Sequence, residues 1–332
     1  MKKITSLFAI LTIVATHHIS AQSNQFLYEY KFKLDSLSRD KSDTETMVLE
    51  TSPTGSKFYS QVKAVYDSTM QATFKNAKMT QNNHFDFTSL KPAKVDDEVL
   101  KMYPGYQTKL RTRISSTPLL IENNRKIDWK ITSDKDKVLG YNVQKATASL
   151  NGRKWIAWFA PEIPVQDGPY NFYGLPGLIL KIEDTKGDHS FTLVGSRKVS
   201  GEQTLSLDKK AREIAVTEEK FNKLWREHKK DPVKDYRQRG SSNGGTATVT
   251  AVVSFDGKTL SQEEMMKEME KSAKEKFKKE NNYLNLNLYQ ENLPNEKNAY
   301  HCRSTCIPST FSKYVLAKGS NECSRKSVTS VC

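Results

Sequence analysis

The sequence predicts an α+β fold: a curved, predominantly antiparallel β-sheet, running as a meander, with two or three helices packed on one side. Three observations predict it. Apolar and polar residues alternate at period two through the first half of the chain. Asn151-Gly152 joins two such runs with a dipeptide suited to a hairpin turn. Helical spacing emerges only after Thr217.

The elements follow in order. From Gln25, the residues Phe26, Tyr28, Tyr30, Phe32 and Leu34 fall on one face of a strand, and Leu27, Glu29, Lys31 and Lys33 on the other, so this strand is half-buried. Residues 46–50 and 57–59 flank Ser52-Pro53-Thr54-Gly55, whose Pro and Gly supply the dihedrals of a tight turn, and together they read as a hairpin. Residues 109–115, 126–131, 141–150 and 153–160 continue the series, with Asn151-Gly152 providing the two positive φ angles of a type I′ turn. Residues 178–183 and 189–194 bracket Asp184-Thr185-Lys186-Gly187-Asp188 as a further hairpin. Thr217 then caps a helix that opens with Glu218 and Glu219, carries Phe221, Leu224, Trp225 and His228 at helical spacing, and stops at Pro232. Ser261 and Glu264 form a capping box ahead of Met265, Met266, Met269 and Phe277, and this second helix is expected to pack on the sheet. Between the helices, residues 239–245 are rich in Gly and Ser, and residues 246–255 read as one more strand. No repeat and no linker interrupts the pattern, so one domain covers residues 22–293.

Composition sets the class. With 332 residues, 27% of them charged, and 14 Tyr, 14 Phe and 4 Trp to build a core, the chain reads as a soluble globular protein. Lys2 and Lys3, an apolar run over residues 4–15, and Ser20-Ala21 before Gln22 have the layout of a signal peptide over residues 1–21. The protein is therefore expected to be exported to the periplasm or cell surface. The run is too short to span a bilayer and no later stretch is apolar enough, so no transmembrane segment is expected. The formal net charge is +14, and +12 without Lys2 and Lys3. After export, that charge meets anionic lipid headgroups or acidic polymers. No helix-turn-helix or aromatic RNA-binding signature is present, and nucleic acid is not expected as a partner.

All four cysteines, Cys302, Cys306, Cys323 and Cys332, lie at the end of the chain. Grouping His301 with Cys302 and Cys306 as a metal site lacks the close Cys pairs that such sites use, and no metal or cofactor is expected. Residues 294–332 show neither helical nor strand periodicity. They read as a poorly ordered tail, either a disulfide-stapled appendage or the product of a shifted reading frame.

The densest stretch is residues 151–184. It contains Gly174-Leu175-Pro176-Gly177-Leu178-Ile179, together with Gly152-Arg153-Lys154, Ala157-Trp158, Pro161-Glu162-Ile163-Pro164 and Asp167-Gly168-Pro169. These residues resemble the GLPGLI family of exported proteins from Bacteroidetes-type bacteria. The resemblance is strongest over residues 140–193 and reaches weakly back to the Tyr28 strand. It implies a place in the cell envelope and carries no established activity or catalytic residue. Chains of this family commonly finish near Glu291-Asn292-Leu293-Pro294, which implies that the Cys-containing tail is an addition.

Two readings of residues 161–177 stand side by side. In the structural one, the prolines and glycines shape a demanding crossover, with Tyr170, Phe172 and Tyr173 buried beneath it and Gly174, Pro176 and Gly177 determining the loop. In the functional one, Trp158, Tyr170, Phe172 and Tyr173 wall a concave apolar site. Arg153 is expected to pair with Glu162 or Asp184, and His189 to be a surface or packing histidine. Gly240-Ser241-Ser242-Asn243-Gly244 fits a serine-nucleophile string, but a strand follows where a helix is required, and no other catalytic motif is present. The leading expectation is a non-enzymatic binder of a hydrophobic or extended ligand, such as a lipid. Alternatives are an accessory subunit of an outer-membrane transport or secretion assembly, and an uncharacterised envelope hydrolase. The layout is loosely similar to periplasmic lipoprotein carriers, an analogy of architecture alone.

Overall fold

The computed structural model describes residues 23–80, 91–123, 125–199, 213–242, 252–253 and 259–289. The strands are β1 (Ser23–Phe32), β2 (Asp43–Ser52), β3 (Gly55–Ser60), β4 (Glu98–Met102), β5 (Gln107–Ile114), β6 (Thr117–Asn123), β7 (Lys130–Val138), β8 (Tyr141–Leu150), β9 (Arg153–Ala160), β10 (Leu178–Asp184), β11 (His189–Val199) and β12 (Ile214–Val216). They form a twelve-stranded sheet in the order β12-β6-β5-β4-β3-β2-β1-β11-β10-β9-β8-β7. Two antiparallel meanders, β2 to β6 and β7 to β11, meet on opposite edges of β1, which pairs antiparallel with both β2 and β11. The short β12 adds in parallel beside β6.

Four helices accompany the sheet among the described residues: α1 (Gln61–Thr80), α2 (Glu218–Lys230), α3 (Lys234–Ser242) and α4 (Gln262–Lys279). This is the curved antiparallel α+β sheet that the alternation predicts, and the strands at 141–150 and 153–160 have the predicted bounds. Asn151 and Gly152 adopt φ of 56° and 78°, the double positive φ of a type I′ hairpin. Thr217 accepts from the Lys220 backbone N–H at 3.2 Å, and Ser261 and Glu264 make a reciprocal capping box.

Other elements differ from the sequence reading. The strand expected at 126–131 is β7, displaced toward Val138. It forms an edge of the sheet with nearly every residue exposed, so Lys135, Asp136 and Lys137 leave no apolar period to read. Helix α1 carries Val65, Phe74 and Met79 exposed and has no continuous buried stripe, which hid it from periodicity. Helix α4 turns Phe277 toward Trp225 and His228 of α2, with ring centroids 5.4 and 5.5 Å apart. Of the strand expected at 246–255, only Val252–Val253 is described, paired with Thr259–Leu260. Residues 1–22 and all four cysteines lie outside the described residues.

Alternation gives the sheet two unlike faces. The inner face carries Tyr28, Tyr30, Leu49, Phe58, Trp155 and Phe191, all buried. The outer face carries Glu29, Lys57, Glu98 and Arg111, among others, with Glu98 in ion pairs to both Lys57 and Arg111. Residues 161–177 fold back over the inner face, where Phe172 packs edge-on against Trp155 with ring centroids 4.7 Å apart. All described residues belong to one compact unit, which ends at Glu291.

Candidate functional site

Strand alternation brings Tyr30 and Phe32 of β1, Met47 of β2, Phe58 of β3 and Phe191 of β11 to one patch of the inner face. Tyr30 stacks on Phe191 with ring centroids 4.2 Å apart and on Phe32 at 4.6 Å. These side chains wall a cavity of about 190 Å³, with Tyr170 from the crossing loop and Leu284 from the segment after α4 completing the enclosure. Lys94, Val95, Asp96 and Asp97 line the same cavity, and since Lys94 and Asp96 are exposed, its mouth lies along this segment leading into β4. A larger hollow of about 380 Å³ near α1 is walled largely by polar residues such as Glu29, Thr44, Glu45 and Lys91.

Asp97 is the polar group set among these rings. It is half-buried, and burial raises its pKa to about 6, with the Thr112 hydrogen bond acting to lower it and the neighbouring Asp96 charge to raise it. The carboxylate is therefore mainly ionised at neutral pH.

Behind the aromatic wall, Tyr30 and His189 are joined at 2.8 Å through Nδ1, while Nε2 lies 3.1 Å from the Asn282 carbonyl. A carbonyl can only accept, so Nε2 carries the proton and the Tyr30 hydroxyl donates to Nδ1. Both ring nitrogens are thus committed. His189 is buried, and its pKa is pushed down to about 4, first by desolvation and then by the Arg153 charge, against the opposing pull of Asp184 and Asp188. An unfolded histidine takes its proton near 6.5, so acidification through the interval from 6.5 down to about 4 favours the unfolded chain. Wild-type stability should fall by about 2 to 3 kcal/mol over that interval from this group. Chemical denaturation should show a shallower pH slope there for His189→Gln, and equal slopes would refute the assignment.

The residues singled out in the sequence are not brought to one place. Arg153 is buried at the β8–β9 turn, bonded to Asp184 at 2.9 Å, Asn282 at 2.8 Å and the Tyr283 carbonyl at 2.6 Å. Glu162 is exposed and accepts from Asn142 at 2.8 Å, so Arg153 pairs with Asp184 and not with Glu162. Trp158 points to the outer face, opposite Trp155, with Lys145 over its ring. Phe172 is sealed under the loop. Tyr173 stacks on Tyr106 at 4.7 Å, and its hydroxyl donates to the Arg125 carbonyl. Of the four aromatics, only Tyr170 lines the cavity. Gly174 and Pro176 are exposed at the turn before β10, and Gly177 is buried against β9. The serine string begins at the end of α3 and runs out of the described residues.

Asp97 and Lys101 escaped the sequence reading. Their only signal is parity: each shares the inner-face register of Val99, where a charge interrupts an otherwise apolar series. Lys101 and Asp167 form an ion pair with both side chains fully buried. Asp167 also accepts from the Ser56 and Tyr103 hydroxyls and from the Gly168 N–H, while Lys101 donates to the Gly168 and Phe172 carbonyls. This cluster ties the crossing loop to β3 and β4. Among the described residues, no three His, Cys, Asp or Glu side chains gather as metal ligands. No helix among them is long and apolar enough to cross a membrane.

The family described as "Protein of unknown function (Porph_ging)" matches residues 151–181, the span from the β8–β9 turn through the crossing loop into β10. No curated protein matches the chain. Among solved structures, PNGF-II in the P21 space group is similar at 17% identity with a TM-score of 0.42, over 61% of this chain and 33% of that one. PNGF-II in the C2 space group gives 17% identity and a TM-score of 0.39, over 59% of this chain and 31% of that one. The chain thus spans about a third of the length of these solved proteins. The segment that carries Asp167, Tyr170 and Gly177 is the part that is similar to a family of unknown function.

Proposed function

We propose that the protein is a non-enzymatic binder that takes up a small apolar group in the inner-face cavity between β1, β3, β11 and the crossing loop. The carrying observation is the cavity itself: about 190 Å³, with walls of Tyr30, Phe58, Tyr170 and Phe191 and a mouth on solvent. Pockets for drug-sized ligands occupy roughly 300 to 1,000 Å³, so this one suits a single ring or a short alkyl segment. Its walls are preorganised, because Tyr30 is held by His189 and stacked on two rings. The leader-like residues 1–21 support a place outside the cytoplasm, where lipids and other amphiphiles are available.

An environment-sensitive dye should brighten on binding the folded protein and be displaced by hexanol. Val95→Trp, which fills the mouth from a half-buried position, should weaken dye binding by about tenfold or more. Near-ultraviolet circular dichroism verifies that the variant is folded. Unchanged dye affinity in a folded Val95→Trp protein would place binding elsewhere and overturn the reading.

A further inference from the structure

Resting on the cavity reading, we infer that the ligand is an amphiphilic amine whose apolar body fills the cavity and whose ammonium head pairs with Asp97. The strand register turns Asp97 to the inner face immediately before β4, where its carboxylate hydrogen-bonds Thr112 and lines the cavity. A carboxylate partly withdrawn from water beside aromatic rings is less favourable until a cation meets it.

No side chain among the described residues supplies that cation as an ion-pair partner. Among the described residues, Lys94 pairs with Asp43, Lys63 with Asp67 and Asp96, and Arg113 with Asp96, and none forms an ion pair with Asp97. The groups that face Asp97 from neighbouring elements are Tyr30 of β1, Tyr170 of the loop, Tyr289 of the terminal segment, Thr112 of β5 and the adjoining Asp96. Lys94, the cation among the lining residues, lies exposed at the mouth and is paired with Asp43, and the three phenols have pKa values raised by burial and stay neutral. Their rings offer π-faces that attract a cation. A fatty acid would instead set a second carboxylate against Asp97, so the same geometry that admits an amine rejects an acid.

Hexylamine, hexanol and hexanoate differ in the head and share the chain, and calorimetric titration of each into the full-length protein separates the two readings. At neutral pH, hexylamine should bind about tenfold tighter than hexanol, and hexanoate weakest, the ratio expected of a partly desolvated ion pair. Asp97→Asn preserves the side chain's volume and should bring the amine and alcohol affinities together. In the wild type, the amine preference should fade as pH drops through about 6, where Asp97 takes up its proton while the amine stays charged. Equal affinity for amine and alcohol in the wild type, or a preference that survives Asp97→Asn, overturns the inference and leaves the apolar cavity standing. If none of the three compounds binds, the cavity reading falls with it.

Discussion

Asp167→Ala should cost about 3 to 5 kcal/mol of folding stability, because it strands the Lys101 ammonium in the interior without its counter-charge. Burial alone lowers the Lys101 pKa, and Asp167 is the group that opposes this by charge and hydrogen bond. The Ser56 and Tyr103 hydroxyls and the Gly168 N–H would lose their acceptor at the same time. Removing both ends together is a milder change: Lys101→Met with Asp167→Leu replaces the pair by apolar volume and should recover most of the loss. Urea denaturation of the two single variants and the double variant completes the cycle. Single variants within about 1 kcal/mol of wild type would show that the pair does not hold the loop.

Gly177→Ala should be comparably severe, at about 3 to 5 kcal/mol, for a steric reason. Gly177 has φ of 149°, and a Cβ there would lie 2.2 Å from the Ala160 carbonyl oxygen and 2.6 Å from its carbon. The obstructing atoms are backbone of β9, which cannot rotate aside as a side chain would. Conformational strain and forced overpacking each contribute about 1 to 3 kcal/mol. Gly174 provides the contrast, since its φ of 91° carries the conformational penalty but a Cβ would meet nothing within 4 Å. Thermal midpoints should therefore order as wild type, Gly174→Ala, Gly177→Ala. A Gly177→Ala midpoint equal to that of Gly174→Ala would remove the close-approach argument.

What could be read from the sequence follows from where each signal resides. β8 and β9 were legible because Asn151-Gly152 fixes their turn, and alternation fixes which side of Trp155 and Trp158 is buried. β7 escapes the sequence reading because an edge strand exposed on both faces has no apolar period, and α1 escapes it because none of its apolar residues is fully buried. The cavity was legible only through Tyr170. Its other walls come from β1, β2, β3 and β11, and no local pattern states that residue 191 stacks on residue 30. Asp97 has no motif around it; its character comes from neighbours contributed by four other segments.

The seam between β1 and β11 bears on how the protein reaches its folded state. Each meander pairs strands that follow one another in sequence, most of them through short turns, whereas Tyr30 and His189 across the seam are 159 residues apart. Pairings of such separation pay their loop-closure entropy before any contact repays it, so this joint is expected to close late in assembly. Until it closes, β1 presents a bare row of amide and carbonyl groups along one side, beside the aromatic residues Tyr28 and Tyr30, and this is the surface most open to unwanted pairing with a second chain.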